Sequence, residues 1–108
     1  TIGKGEPERV GTMIEAVARE IEPSRLAGHF HDTGGHALAN VDVAFSLGIR
    51  VFDAAVGGLG GCPYAPGAAG NLATGLLVDH LDARGIDTGI DRDRLLAVEA
   101  FVRDHIRA

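Results

Sequence analysis

Two histidines separated by one residue are the first candidates for chemistry in this sequence. His29 and His31 lie in a short apolar stretch, and residues two apart in a β-strand project from the same face. Two imidazoles on one face suit a divalent cation, although an isolated pair of this kind is more often buried and hydrogen-bonded to its neighbours. Imidazole and oxygen ligands together accommodate Mg²⁺, Mn²⁺ and Zn²⁺, so the ligand types do not select the ion.

A glycine-dense loop over residues 57–71 contains the only cysteine, Cys62. Glycines let a backbone adopt positive φ and lie close to a ligand, and loops of this length in compact domains are usually functional or disordered. We interpret the loop as an active-site lid, in which Cys62 is either a small hydrophobe or a reactive thiol near a cation. The glycines assigned to the lid are Gly58, Gly60, Gly61, Gly67 and Gly70.

Two further polar residues lie next to these segments. Asn71 ends the loop and is a favoured N-cap for the helix predicted to follow, a position that is compatible with a role as a ligand. Asp53 lies in the middle of the second predicted strand, and we assign it a structural or supporting role rather than a catalytic one. The histidines predicted on helices, His36, His80 and His105, receive no role.

The spacing of apolar residues predicts helices and strands that alternate along the chain. We expect helices over residues 7–21, 36–47, 72–84 and 92–106, strands over 26–31 and 49–56, and the end of a strand at 1–3. Pro7 suits a first helical turn and Asp91 an N-cap. This order indicates an α/β fold with a parallel sheet, and polar residues after both strands favour the last part of a (β/α)₈ barrel over a doubly wound domain.

The composition limits the classes of partner. The chain has 108 residues, of which 45% are hydrophobic, and a formal net charge of -5, with its basic residues scattered. We therefore expect no nucleic-acid or membrane partner, and a small-molecule ligand instead. A single cysteine forms no intramolecular disulfide, and no apolar run approaches the roughly 20 residues of a membrane span. We expect a cytoplasmic protein and, because no methionine opens the sequence, a piece of a longer chain.

Two blocks of the sequence resemble the 3-hydroxy-3-methylglutaryl-CoA lyases. The first is GLGGCPYA at 58–65 with GAAGNLAT at 67–74, and the second is HFHDT at 29–33 with ALAN at 37–40. TIG at 1–3 also resembles the end of an earlier strand of that family. The cysteine lid is specific to the lyases, whereas the histidine strand is shared with isopropylmalate synthases and ketoacid aldolases.

The resemblance implies that residues 1–108 form one partial TIM-barrel domain, about strands six to eight of the barrel. It implies a divalent cation, Mg²⁺ or Mn²⁺, bound by His29, His31 and Asn71, with Cys62 and His31 as catalytic residues. The implied reaction cleaves 3-hydroxy-3-methylglutaryl-CoA, an acyl-CoA thioester, to acetyl-CoA and acetoacetate. The parent enzyme is expected to be a homo-oligomer, mitochondrial in some eukaryotes, with a further metal-binding aspartate and a catalytic arginine on its first strand.

The sequence departs from the family pattern in two places. The family commonly has Tyr-Gly-Gln where this chain has Gly34-Gly35-His36, and it commonly has a glutamate where this chain has Gly75. Gly75 removes a carboxylate near the site, and it weakens a helix by about 1 kcal/mol relative to alanine. The alternatives are a related metal-dependent aldolase or Claisen condensation enzyme, a non-catalytic piece of such a barrel, or a small interaction module.

Overall fold

The computed structural model describes residues 3–60 and 70–105. The helices and strands of these residues are α1 (Pro7–Ala18), β1 (Ala27–His29), α2 (Ala37–Ser46), β2 (Val51–Asp53), α3 (Thr74–Ala83) and α4 (Arg92–His105). Short 3-10 turns lie at Pro23–Arg25 and Val56–Gly58. Strands β1 and β2 pair in parallel, with His29 opposite Asp53. The alternating order and the parallel pairing predicted from the sequence are therefore confirmed.

Helices α1, α2 and α3 pack on one face of the two strands. One apolar cluster joins α2 to α3, and the other joins α1 to α2 and the chain before β2. The rings of Phe30 and Phe52 contact both clusters, and a Cβ at Gly28 would collide with these two rings. The middle of β1 therefore requires glycine, because two aromatic side chains cross it. Phe30 points away from the face of the histidine pair, as the strand alternation predicts.

Helix α1 is shorter than its apolar pattern predicts. It begins at Pro7 as expected but ends at Ala18, and Ile21 is exposed. Glu22 has an extended backbone, which is the conformation favoured before Pro23. The proline therefore ends the helix early, and the apolar residue beyond Ala18 does not extend it.

The segment from Asn71 to Ala73 is extended, which corrects the predicted start of the third helix. Helix α3 begins at Thr74, and Ala73, not Asn71, is the N-cap residue. The prediction that Asn71 caps this helix is therefore wrong. Leu72 is fully buried against the apolar cluster of α2 and α3. Burial of Leu72 and backbone pairing of this segment hold the chain extended where its local sequence would permit a helix.

The two strands are shorter than predicted, because they pair with each other over only three residues: β1 covers Ala27–His29 of the predicted 26–31, and β2 covers Val51–Asp53 of the predicted 49–56. The helix ends follow their local signals more closely. Asp91 accepts hydrogen bonds from the amides of Asp93 and Arg94 at 3.0 and 3.1 Å, so it is the N-cap of α4 as predicted. Gly48 and Gly85 follow α2 and α3 with positive φ, as helix-ending glycines do. Gly3 lies in a bend, and residues 1 and 2 of the predicted strand end are outside the described residues. Among the described helices, none is long and apolar enough to cross a membrane.

Candidate metal centre at the strand ends

The segment that contains Asn71 is hydrogen-bonded to the ends of both strands. Next to β1, the amide of Asp32 donates to Gly70 O at 3.0 Å and the amide of Leu72 donates to Phe30 O at 3.1 Å. Next to β2, the amide of Ala55 donates to Leu72 O at 3.0 Å, and the amide of Thr74 donates to Ala55 O. These four backbone hydrogen bonds lie at the C-terminal ends of the strands, where α/β proteins commonly place their ligands.

Pairing of this segment with the end of β1 places Asn71 opposite His31. The two residues form an antiparallel bridge, in which side chains directly opposite project from the same face. His29 shares that face, and the His29 and His31 ring centroids are 5.3 Å apart with an angle of 70° between the planes. The structure therefore brings together the three side chains predicted as metal ligands.

Asp53 fixes the orientation of the first histidine. One oxygen of its carboxylate, Oδ1, lies 2.5 Å from Nδ1 of His29 across the β1–β2 pair. A carboxylate at this position favours a proton on Nδ1 and leaves Nε2 as the lone-pair donor. This arrangement supports the prediction that Asp53 has a supporting role.

His31 is an almost fully buried imidazole, with 7% of its surface exposed. Its Nδ1 is buried and has no hydrogen-bond partner among the described residues. Burial lowers the pKa of His31 below its usual value, and the nearby His29 acts in the same direction. A neutral imidazole with an unused nitrogen can accept a cation or a proton.

The amide of Asn71 is held in one orientation. Its Nδ2 donates to Leu59 O at 2.9 Å and to Gly60 O at 3.4 Å, so Oδ1 is left as a free acceptor. Asn71 Oδ1 is buried and has no partner among the described residues. A Cβ at Gly60 would lie 2.7 Å from Asn71 Nδ2, so glycine is required there both for this close approach and for its φ of 96°.

The residues present match the needs of a divalent cation. Within residues 3–60 and 70–105, three buried side-chain atoms lack partners, and two of them, His31 Nδ1 and Asn71 Oδ1, lie at the strand ends. A buried polar atom without a partner is costly unless a ligand uses it. Over residues 3–60 and 70–105, no group of three His, Cys, Asp or Glu side chains is arranged to hold a metal. Asn71 Oδ1 is an oxygen acceptor that could join the two histidines in a set of ligands.

Several predicted lid residues lie outside the described part of the chain, namely Gly61, Cys62 and Gly67. The other lid glycines, Gly58, Gly60 and Gly70, all have positive φ, between 72° and 96°. The sequence therefore identified loop positions at which the backbone needs glycine.

Asp32, which follows the histidine pair, has a local role, because its Oδ1 accepts a 3.2 Å hydrogen bond from the amide of Ala37 at the start of α2.

Sequence reasoning missed a charged group beside the loop. Arg92 and Glu99 of α4 form an ion pair at 3.2 Å, and Glu99 lies against Gly75 in the first turn of α3. Glu99 thus brings a carboxylate against Gly75, the position at which the sequence lacks the glutamate of the family pattern. The spacing of Arg92 and Glu99, seven residues or two helical turns apart, could have predicted the ion pair. It could not have predicted that Glu99 packs against Gly75 of α3.

The Asp53 carboxylate provides a test of the metal centre. Asp53→Asn is expected to lower Mn²⁺ affinity by about 10-fold, because a neutral amide supports the His29 ring less well than a carboxylate does. Calorimetric titration of an intact barrel containing these residues measures the change. Asp82→Asn on the exposed side of α3 is the matched control, and equal affinities in both variants would remove Asp53 from the site.

Comparison with known proteins gives the family. The family model described as HMGL-like matches residues 1–102. The cytoplasmic 3-hydroxy-3-methylglutaryl-CoA lyase of Rattus norvegicus is 49% identical over 102 residues, which are 94% of this chain and 30% of that protein. The hydroxymethylglutaryl-CoA lyase of Pseudomonas mevalonii is also 49% identical, over 91% of this chain and 33% of its own length. The chain thus spans about a third of the relatives that it matches.

Solved structures agree with this assignment. The HMG-CoA lyase of Brucella melitensis superposes with a TM-score of 0.93 at 51% identity, covering 96% of this chain and 37% of that one. The HMG-CoA lyase of Acinetobacter baumannii, solved with coenzyme A and 3-methylmalate, gives a TM-score of 0.84 at 46% identity, covering 92% of this chain and 32% of that one. Because the family model matches residues 1–102, which are most of this chain, the chain belongs to the HMGL-like family.

Proposed function

We propose that these residues are part of a metal-dependent 3-hydroxy-3-methylglutaryl-CoA lyase, and that residues 1–108 supply about strands six to eight of its barrel as one partial domain. The observation that carries the proposal is the pair of buried acceptors, His31 Nδ1 and Asn71 Oδ1, on opposite residues at the strand ends, neither of which has a partner in the part of the chain that the structure describes. The similarity to lyases at 49% identity supports the substrate class.

The proposed reaction breaks one carbon–carbon bond. A base removes the proton of the tertiary hydroxyl, the bond between the hydroxyl-bearing carbon and the acetyl-CoA carbon breaks, and its electron pair forms the thioester enolate. An acid then protonates the enolate to give acetyl-CoA, while the other product is acetoacetate. A divalent cation, Mg²⁺ or Mn²⁺, would supply Lewis-acid polarisation of the hydroxyl and of the new ketone.

The described residues would bind and orient the reacting groups. His29, His31 and Asn71 would hold the cation, and Asp53 would keep the His29 ring in place. His31 stays neutral near pH 7 because burial lowers its pKa, so it is in the form that either a ligand or a proton acceptor needs. Cys62, which lies outside the described residues, is our candidate for proton transfer on the enolate side.

The partners and compartment follow from the same proposal. The Acinetobacter baumannii lyase was solved with coenzyme A, which supports an acyl-CoA thioester as the substrate class. We expect the complete enzyme to be a homo-oligomer. Its compartment would be the cytoplasm, or the mitochondrion in a eukaryotic source, since relatives include a cytoplasmic and a mitochondrial form.

Cys62 provides the test that separates a lyase from a related aldolase or condensation enzyme. In the intact barrel, Cys62→Ser is expected to lower kcat by about 100-fold, because serine is nearly isosteric but is a far weaker acid than cysteine. The assay follows acetyl-CoA release from 3-hydroxy-3-methylglutaryl-CoA with Mg²⁺. The melting temperature should remain that of the wild type.

Two outcomes of this assay contradict the proposal. Full activity of the serine variant would reduce Cys62 to a packing role. A wild-type barrel that releases no acetyl-CoA but condenses or cleaves a ketoacid would identify it as one of the related enzymes, because their histidine strand does not require the cysteine.

A further inference from the structure

Helix α4 places a carboxylate on the first turn of α3. Gly75 is buried in that turn, and a Cβ at this position would collide with Oε1 of Glu99. The Glu99 side chain is only 22% exposed, so the carboxylate is in a partly desolvated position between the two helices. Glycine at position 75 and glutamate at position 99 are therefore matched: the missing side chain provides the space that the carboxylate fills.

Arg92 holds this carboxylate and also binds α3 directly. Its Nη1 lies 3.2 Å from Glu99 Oε1, while Nε and Nη2 contact the two carboxylate oxygens of Asp79 at 2.9 and 3.3 Å. The second contact is bidentate, which fixes a guanidinium more firmly than a single hydrogen bond does. Arg92 thus connects the start of α4 to α3 through Asp79, and it also holds Glu99 of α4 against Gly75, one turn earlier in α3.

Helix α4 also reaches the first residue of the glycine-rich loop. A Cβ at Gly57 would lie 3.8 Å from Cγ1 of Val102, so α4 covers the turn that begins the loop. After the loop, the amide of Thr74 donates to Ala55 O at 3.0 Å, and Gly75 follows directly. Helix α4 therefore contacts the first residue of the loop and the first turn of α3, which directly follows the extended Asn71 segment.

We propose that Glu99 is a positioning residue of the site. Seated over Gly75 and held by Arg92, it keeps α4 against the start of the glycine-rich loop and against the first turn of α3. It thereby keeps the Asn71 segment, which leads into that turn, paired with the strand ends. It acts through the backbone of residues 71–75 and does not need to touch the substrate. The expected effect on turnover rests on the proposed lyase function, whereas the effect on backbone pairing does not.

Gly75→Ala tests this directly, because it removes the carboxylate from its seat without weakening α3. The end of the Glu99 side chain can swing away, and alanine favours a helix interior more than glycine does. In the full-length protein we expect an unchanged or higher melting temperature but an exchange rate of the Leu72 and Thr74 amides raised by about tenfold. Turnover should fall by about tenfold with KM within about twofold of the wild type, because misplaced groups slow the reaction.

Glu99→Gln provides the second variant. It keeps the size of the side chain but removes the charge that binds Arg92, so the same increase in amide exchange is expected. The double variant with Gly75→Ala should be no worse than either single one, since both changes remove the same interaction. Asp104→Asn is the matched control, because it removes the same charge from an exposed position of α4.

The outcomes separate this proposal from the proposed function. Amide exchange and kcat equal to those of the wild type in both Gly75→Ala and Glu99→Gln would overturn the positioning role. If Gly75→Ala lowers the melting temperature, the exchange rates of Glu99→Gln decide alone. A wild-type protein without lyase activity would contradict the function, and amide exchange at Leu72 and Thr74 would still decide whether Glu99 positions the segment.

Discussion

Replacement of His31 by alanine is expected to lower Mn²⁺ affinity by about a hundredfold or more, since even residues that merely support a ligand contribute about 10- to 100-fold. The imidazole is buried, its Nδ1 has no partner among the described residues, and the residue lies opposite Asn71. The neighbouring imidazole, that of His29, already belongs to the predicted set of ligands, so it does not replace the lost one. The same experiment on Mg²⁺ should show a loss of the same order.

Calorimetric titration of an intact barrel measures this effect. His105→Ala is the matched control, because His105 is exposed on α4, is stacked on Phe101, and lies away from the strand ends. Far-UV circular dichroism of the His31 variant distinguishes loss of a ligand from loss of the fold. Affinity within about twofold of the wild type in a folded His31→Ala protein would return the histidine pair to a structural role.

The second large effect concerns the 108 residues alone, which are expected to show no lyase turnover even with substrate and metal. Barrel closure requires every strand to be paired with two neighbours, and the described part of this chain contains one parallel pair. The face opposite the helices is open, with Val51 57% exposed and with His29 and Asp53 also exposed. Open strand edges and an uncovered apolar face promote association.

Two measurements test this expectation. The purified chain is incubated with 3-hydroxy-3-methylglutaryl-CoA and Mg²⁺ while acetyl-CoA release is followed, with a full-length lyase as the positive control. Size-exclusion chromatography should show self-association or aggregation. Turnover above the metal-only background would mean that the other strands are dispensable, and our assignment of the site would then be wrong.

Local sequence determined the elements whose ends depend on their own residues. The helix start at Pro7, the Asp91 cap of α4 and the glycine after α2 were predictable, because capping and helix termination involve groups only a few residues apart. The same reasoning holds for the histidine pair, since strand alternation alone places His29 and His31 on one face. The α/β order and its parallel pairing were predictable from the alternation of elements.

Tertiary structure decided the features that depend on contacts between distant residues. The pairing of the Asn71 segment with Phe30 and Ala55 overrode its local preference for a helix cap, and it brought Asn71 opposite His31 across 40 positions of sequence. The bond from Asp53 to His29 required the register of β1 on β2. The seat of Glu99 on Gly75 required α4 to pack on α3. Sequence spacing specifies which face of an element a residue occupies, but only packing and register specify which distant residue meets it there.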